Sequence, residues 1–159
     1  MKKRLLILFL AAAVVIVAGM IFLFSSQDGL ASSHTSGAVV QLLLRWTRPD
    51  YASLPQAEQN ALYQTYQFWI RKGAHFSEFA LLGMFLMLLL NALDRPWKAG
   101  KSWLLGTVYA GTDELHQMVL GTRTAAWQDV AIDSAGVLFG VLLILLILAL
   151  ARRRKKARR

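Results

Sequence analysis

Long apolar stretches alternate with short polar segments along this chain, and four of them are long enough to cross a bilayer, which takes about 17 to 25 residues. Residues 5–24 contain no charge at all, and 74–93 and 129–150 are largely apolar. The fourth stretch, 102–120, is apolar in its first half only. The pattern therefore predicts an all-α, polytopic membrane protein with spans at 5–24, 74–93, 102–120 and 129–150.

The third of these spans is the least apolar, because Asp113, Glu114, His116 and Gln117 occupy its second half. On insertion scales a charged residue at the centre of a membrane helix costs about 2.5 to 3.5 kcal/mol. We retain this crossing because the chain would otherwise cross an odd number of times, which contradicts the distribution of basic residues.

Basic residues cluster before the first span, in the turn between the second and third, and after the fourth. These three segments hold 13 of the 18 Lys and Arg residues. The positive-inside rule therefore predicts cytoplasmic N- and C-termini and a four-helix, up-down bundle. We expect residues 1–159 to form one membrane domain, with an outer segment at 25–73 and a basic cytoplasmic tail at 151–159.

The outer segment has an amphipathic pattern of its own, in a stretch too short to cross. Its apolar positions at helical spacing are Val39, Val40, Leu42, Leu43 and Trp46. We expect this helix to lie on the outer interface or to cap the bundle. Pro55 suits the first turn of another helix, which leads into the second span. The positions spaced to pack inward there are Leu62, Tyr66 and Trp69 or Ile70.

Composition supports a membrane protein. The chain is 56% hydrophobic and 17% charged, and its net charge is +9, whereas soluble domains have about 45–50% and 25%. Disorder is excluded by the same values. The absence of cysteine excludes disulfides, thiolate zinc sites and cysteine nucleophiles. The basic tail is typical of a stop-transfer segment that contacts anionic lipid, and without interleaved aromatic residues it does not indicate nucleic-acid binding.

Ionisable side chains collect at the outer ends of three predicted spans. Charged groups at this depth must face the bundle interior or a wet cavity, which makes them functional candidates. The set comprises His75 and Glu78 on the second span, Asp113, Glu114 and His116 on the third, and Asp129 and Asp133 on the fourth, with the uncharged Gln117 beside His116. In a purely structural alternative, Arg123 and Lys72 neutralise carboxylates and hold the outer helix ends together.

The formal charge of this region favours a cationic ligand or bound protons. Five carboxylates outnumber Arg71, Lys72 and Arg123, which leaves a charge of −2 with neutral histidines. A metal cation, imidazolium protons, shared carboxyl protons or an ammonium-bearing ligand would each restore neutrality. No cofactor is required by the sequence, but its nitrogen and oxygen donors suit a divalent metal. The candidate metal ligands are His75, Glu78, His116 and Asp133.

Helical spacing, at about 1.5 Å per residue, predicts a shallow pocket about two turns deep that opens outward. Its expected floor consists of Glu78, His116 or Gln117, and Asp133. Arg123 is expected to fold over the pocket from the third loop, and Asp113 to lie deepest.

Four sequence blocks follow one another along the chain. They are Arg71-Lys72-x-x-His75-Phe76-x-Glu78-Phe79-x-x-x-Gly83, Asp113-Glu114-x-His116-Gln117, Gly121-x-Arg123 and Asp129-x-x-x-Asp133-x-x-Gly136. Together with Phe24-Ser25-Ser26-Gln27, these blocks resemble the VanZ-like family over nearly the whole chain. Phe79 stands where the family pattern has Tyr, and Asp133 where Asn is common.

The resemblance implies a small bacterial, multi-pass protein of the inner membrane. The family's namesake is an accessory protein of glycopeptide-resistance gene clusters, linked to reduced teicoplanin susceptibility. We expect the outer polar cluster to bind the headgroup of an envelope lipid or a lipid-linked cell-wall precursor. The candidate ligand-binding residues are Ser26, Gln27, Arg71, Lys72, His75, Glu78, Asp113, Glu114, His116, Gln117, Arg123, Asp129 and Asp133.

Two other function classes are compatible with the cluster. A membrane enzyme could hydrolyse or transfer a lipid headgroup, with a histidine as general base beside a carboxylate. The catalytic candidates are His75, Glu78, Asp113, Glu114 and His116. Transport is less well supported, because the acids stop in the outer half and four helices would have to oligomerise to form a path. An oligomer is possible, since Gly136-x-x-x-Gly140 permits close helix contact, although such a motif more often serves packing within a bundle.

Overall fold

The computed structural model describes residues 1–26, 29–120 and 127–157, with backbone only at 29–35 and 157. Its helices are α1 (Lys2–Ser25), α2 (Gly29–Thr47), α3 (Gln56–Ala92), α4 (Lys98–Val119) and α5 (Trp127–Ala157), with a 3-10 turn at Tyr51–Ser53. The described residues form no sheet, so the predicted all-α class is confirmed. Two site candidates, Gln27 and Arg123, lie outside the described residues.

Within the described part of the chain, three helices are long and apolar enough to cross a membrane. They are α1, α3 and the segment Trp127–Lys156 of α5, and they correspond to the first, second and fourth predicted spans, except that α3 ends at Ala92. The second predicted span is the later part of a continuous 37-residue helix. The third lies in α4, which has 22 residues and whose hydropathy is lowered by the polar residues of its second half. The first part of the predicted basic tail continues this last helix, since α5 extends through Ala157.

The most extensive contact between helices joins α3 and α5, which run parallel. Gly136 lies against the backbone of Phe76, and Gly140 lies against the backbone of Ala80 one turn further on. A Cβ added at Gly136 would lie only 3.2 Å from Phe76 Cα. The two glycines therefore serve close packing within this chain.

The apolar core lies at mid-length between α1, α3, α4 and α5. It is formed by Val17, Ile21, Phe79, Leu82, Leu86, Met87, Ala110, Val137, Val141 and Ile144. Many large apolar side chains instead point away from the bundle, including Leu8, Val15 and Leu104, which are 60% exposed or more. An apolar outer surface of this extent is expected of helices whose solvent is lipid.

The α2 helix crosses α3 steeply. Ser36 and Thr47 are eleven residues apart on α2, yet they bond to the neighbouring residues Gln67 and Tyr66 of α3. Val40 and Leu44 of α2 are fully buried.

Val40 therefore departs from the predicted apolar face of α2, because it packs together with Leu44 on the side of this helix that is buried. The other four residues of that face point away from the bundle. The outward residues are Val39, Leu42, Leu43 and Trp46. In α3, Ile70 is half-buried while Trp69 is 67% exposed, so Ile70 is the inward position of the two.

Three basic segments share one end of the bundle. Lys3 forms an ion pair with Asp94 in the α3–α4 turn, with Nζ and Oδ2 2.6 Å apart. This hydrogen bond and ion pair hold the pKa of the Asp94 carboxyl below its usual value. Since α5 runs parallel to α3, its basic C-terminal turns lie at this end too. The carboxylates of α4 and α5 lie towards the opposite end.

Candidate functional site

A cavity of ≈ 560 Å³ lies between α3, α4 and α5, at the end opposite the basic segments. It is lined by Gln64, Gln67, Phe68, Arg71, Lys72, His75, Glu114, Gln117, Gln128, Asp129, Ile132 and Asp133. Seven of the predicted ligand-binding residues are in this set. The cavity lies within the bundle end that the sequence pattern selected.

The α3 wall of the cavity extends further than the sequence analysis predicted. Gln64, Gln67 and Phe68 line it but were not site candidates. They precede Arg71 and His75 at spacings of three and four residues, so they share one helical face. Extending that face by three turns from His75 towards the start of α3 would have found them.

Lys72 forms an ion pair with Asp129 across the cavity mouth, between α3 and α5. Their side chains are 20% and 19% exposed, so the pair is shielded from water and anchors the start of α5 to α3. The Lys72 ammonium also lies 5.3 Å from the centre of the Phe68 ring, within the range of a cation–π contact. Arg71, the neighbouring residue, lines the same cavity.

His75 and Asp133 face each other deeper in the cavity. His75 Nδ1 lies 3.8 Å from Asp133 Oδ2, and the two side chains are 14% and 5% exposed. At this separation the contact is longer than a hydrogen bond. Asp133 also interacts electrostatically with Asp113, Asp129 and Glu114, so several negative groups converge on it.

Asp113 joins the end of α1 to α4 through a buried hydrogen-bond network. Its Oδ2 accepts hydrogen bonds from Ser25 Oγ at 2.7 Å and from Gln117 Nε2 at 2.9 Å. Its Oδ1 has no hydrogen-bond partner within the described ranges. Ser25, only 1% exposed, was not a site candidate, although the Phe24-Ser25-Ser26-Gln27 element pointed to this position.

Three side chains from three helices converge beside the cavity. His75 of α3, Asp113 of α4 and Asp133 of α5 each offer one donor atom, and these atoms lie within 4.8 Å of one another. The cluster contains two of the four predicted metal ligands, His75 and Asp133. Its third member, Asp113, was not predicted as a metal ligand, and the predicted ligands Glu78 and His116 are not part of it.

His116 faces α1 instead of the cavity. Its Nε2 lies 3.1 Å from Ser26 Oγ, and its ring stacks on Phe22 with centroids 4.4 Å apart. The reason is helical geometry, because Asp113 and Gln117 share the inward face while His116 is about 100° around the helix from Gln117. Of the two alternatives expected for the pocket floor, Gln117 lines the cavity, whereas His116 lies against α1 beside Ser26.

Glu78 is half-buried and does not line the cavity. The inward position one turn after His75 is taken by Phe79, which is fully buried in the core. Glu78 remains close enough to interact electrostatically with Asp113. Of the expected floor, the cavity lining thus contains Gln117 and Asp133.

Gln67 provides a second hydrogen-bond acceptor without a partner in the described part of the chain. It is 5% exposed, its Nε2 donates to Ser36 Oγ at 3.0 Å, and its Oε1 has no hydrogen-bond partner there. A buried carbonyl oxygen left in this state is costly. The cavity therefore favours a ligand that donates a hydrogen bond.

Comparison with known proteins shows the family of the chain. The family model described as VanZ/LLP1 matches residues 9–148. No curated protein and no solved structure is significantly similar to the chain. The match covers every residue that lines the cavity. This helical protein, with three membrane-capable helices in its described part, belongs to the VanZ/LLP1 family.

Proposed function

We propose that this protein binds the headgroup of a cell-envelope lipid or a lipid-linked cell-wall precursor in the cavity between α3, α4 and α5. The observation that carries the proposal is a cavity with charges of both signs at one end of a bundle of membrane-capable helices. Its volume of ≈ 560 Å³ falls within the roughly 300–1,000 Å³ of small-molecule sites.

The proposed topology has four crossings of the bacterial inner membrane, with α4 as the third. The 22 residues of α4 give a length of about 33 Å, enough for a hydrocarbon core of about 30 Å. Its polar residues Asp113, Glu114 and Gln117 are buried within the protein, while Leu104, Val108 and Leu115 face outward. Placing the basic end in the cytoplasm makes the cavity open in the extracytoplasmic leaflet.

The residues that line the cavity match a headgroup that has both an anionic group and a hydrogen-bond donor. Arg71 and Lys72 supply the cations that bind phosphate or carboxylate groups. Gln67 Oε1 and the carboxylates of Glu114 and Asp133 accept hydrogen bonds from hydroxyl or ammonium groups. A phosphate ester that also carries an amine or hydroxyl satisfies both sides of the cavity.

Native mass spectrometry of the protein in detergent tests this proposal. The probes are a polyprenyl phosphate, phosphatidylglycerol and phosphatidylcholine, which differ in phosphate exposure and in hydrogen-bond donors. Because charged hydrogen bonds contribute about 1.5–3 kcal/mol, Arg71→Gln is expected to weaken binding of the preferred lipid about tenfold or more.

The matched control is Arg45→Gln, since Arg45 is an exposed residue of α2 outside the cavity. It is expected to bind as the wild type does. Equal binding of all three lipids, or equal loss in both variants, would refute a headgroup site in this cavity.

Family membership extends the proposal to glycopeptide resistance. A protein that binds a cell-wall precursor would change the amount available to glycopeptides. We expect expression of the wild-type protein in a susceptible host to lower teicoplanin susceptibility and Arg71→Gln to abolish the effect. Arg45→Gln should retain it, and a wild-type protein without any effect on susceptibility would contradict this extension.

A second candidate function is hydrolysis or transfer at the lipid headgroup. The observation that favours it is that His75 Nδ1 lies 3.8 Å from Asp133 Oδ2 at the cavity wall. A shift of less than about 1 Å on ligand binding would form the hydrogen bond by which a carboxylate orients a histidine general base. Phosphate release from a polyprenyl pyrophosphate, with and without zinc or magnesium, tests this function. His75→Asn should abolish turnover and His116→Asn should preserve it; no turnover by the wild type would exclude the function for this substrate.

A further inference from the structure

The strongest unassigned feature is the cluster of His75, Asp113 and Asp133. Each residue comes from a different helix, and Asp113 and Asp133 are each only 4% exposed. Their donor atoms lie within 4.8 Å of one another. Two carboxylates this close and this far from water repel strongly unless a cation or a shared proton neutralises them.

Lys72, the lysine nearest to this cluster along α3, pairs with a different carboxylate. It forms its ion pair with Asp129 at the cavity mouth. Ser25 and Gln117 donate hydrogen bonds to Asp113 Oδ2, but they carry no charge. These two hydrogen bonds therefore orient the Asp113 carboxylate, and neither of them brings a positive charge to it.

Asp113 has one oxygen to offer to a ligand. Oδ2 is fixed by Ser25 and Gln117, whereas Oδ1 is buried and has no hydrogen-bond partner among the residues that the structure describes. This pattern is that of a metal-binding carboxylate, whose second oxygen is held by neighbours while the first faces the ion.

The spacing also suits a small divalent ion. Bonds of about 2.1 Å in a tetrahedral site place neighbouring ligand atoms about 3.4 Å apart. His75 Nδ1 and Asp133 Oδ2 are 3.8 Å apart, and all three donor atoms lie within 4.8 Å of one another. Small side-chain shifts, of about 1.4 Å at most, would therefore bring them to the spacing of a tetrahedral site. Two carboxylates and one imidazole also balance the charge of a divalent cation.

We propose that His75, Asp113 and Asp133 bind one divalent transition-metal ion, with Zn²⁺ as the best fit to one nitrogen and two oxygen ligands. Three protein ligands leave a fourth position open. His75 and Asp133 line the cavity, so that position faces the cavity. The metal site depends on these three side chains and not on the lipid ligand, so it stands or falls separately from the headgroup proposal.

Metal content and zinc titration of the full-length protein in detergent test the site. After chelator treatment and removal of the chelator, ZnCl₂ is added and binding is followed by calorimetry and by elemental analysis of the gel-filtration peak. We expect one Zn²⁺ per chain. Asp113→Asn and Asp133→Asn should weaken binding more than about 100-fold, beyond the roughly 10–100-fold that loss of an outer-shell partner costs.

Two further variants provide an intermediate effect on zinc binding and a control without an effect. Ser25→Ala removes a donor to Asp113 without removing a metal ligand, so it should weaken zinc binding about 10–100-fold. The matched control is Asp94→Asn, since Asp94 lies in the exposed turn at the other end of the bundle, and it should bind as the wild type does.

Co²⁺ substitution provides a second readout that does not depend on variants folding. Wild-type protein should develop the visible d–d absorption of a bound Co²⁺ ion, and added Zn²⁺ should abolish it. A folded wild-type protein without stoichiometric zinc, or zinc binding unchanged in both aspartate variants, would overturn the proposal.

Discussion

Adding a single methyl group at Gly140 should separate the two helices that form the walls of the cavity. A Cβ there would lie 2.9 Å from the Ala80 carbonyl carbon and 3.0 Å from Met84 N, besides overlapping the Ala80 carbonyl oxygen. These are backbone atoms, which cannot rotate away as a side chain would. The helices must therefore move apart along the α3–α5 contact.

The magnitude follows from two opposing effects. Overpacking costs about 1–3 kcal/mol, and a clash with backbone belongs at the upper end of that range. Replacing glycine by alanine within a helix returns up to about 1 kcal/mol. We therefore expect Gly140→Ala to lower the free energy of unfolding by about 1–2 kcal/mol.

Gly111→Ala is the matched control, because a Cβ at Gly111 meets nothing within 4 Å. This variant should be unchanged or more stable by up to about 1 kcal/mol. Reversible unfolding by SDS in mixed micelles, followed by circular dichroism, measures both variants. Equal stability of Gly140→Ala and the wild type, or equal destabilisation by both substitutions, would refute the close α3–α5 packing.

Two further predictions concern the ion pair and the topology. Lys72→Met and Asp129→Asn should each lower the free energy of unfolding by about 3 kcal/mol or more, because each single change leaves a shielded charge unpaired. The double variant should lose less than the sum of the two, and additive losses in the same SDS assay would contradict a coupled pair. Since the chain lacks cysteine, Trp97→Cys and Val119→Cys are clean reporters at the two ends of α4, where both residues are more than 80% exposed. A membrane-impermeant maleimide applied to intact cells should label only position 119, and equal labelling of both positions would exclude α4 as a crossing.

Helix positions were predictable because apolar stretches of membrane length have few alternative structures. Asp113, Gln117, Asp129 and Asp133 could be assigned to one polar end from helical spacing alone. Spacing within one helix does not determine how that helix is rotated against its neighbours. His116 therefore turned out to face Phe22 of α1, since Asp113 and Gln117 occupy the inward face of α4.

The contribution of α1 and the start of α3 to the polar end was harder to predict. Ser25 donates to Asp113 from a helix that is otherwise wholly apolar after its first turn, so no pattern of acids marked it. Gln64 and Gln67 are uncharged and lie before the predicted second span, which began at residue 74. Only the continuity of α3 across that boundary brings them to the cavity.

Photo-crosslinking from the cavity wall tests the headgroup site most directly. Phe68 lines the cavity and is 52% exposed, so replacing it with photoreactive p-benzoylphenylalanine keeps an aromatic ring in place. The control replaces Leu115, which is 57% exposed beside Glu114 but is not part of the cavity lining. After irradiation of cells, the attached lipids are identified by mass spectrometry. We expect crosslinking at position 68 to enrich a phosphate-bearing envelope lipid or precursor over position 115, and Arg71→Gln to abolish this enrichment. Crosslinking of the same bulk phospholipids at both positions would contradict the account.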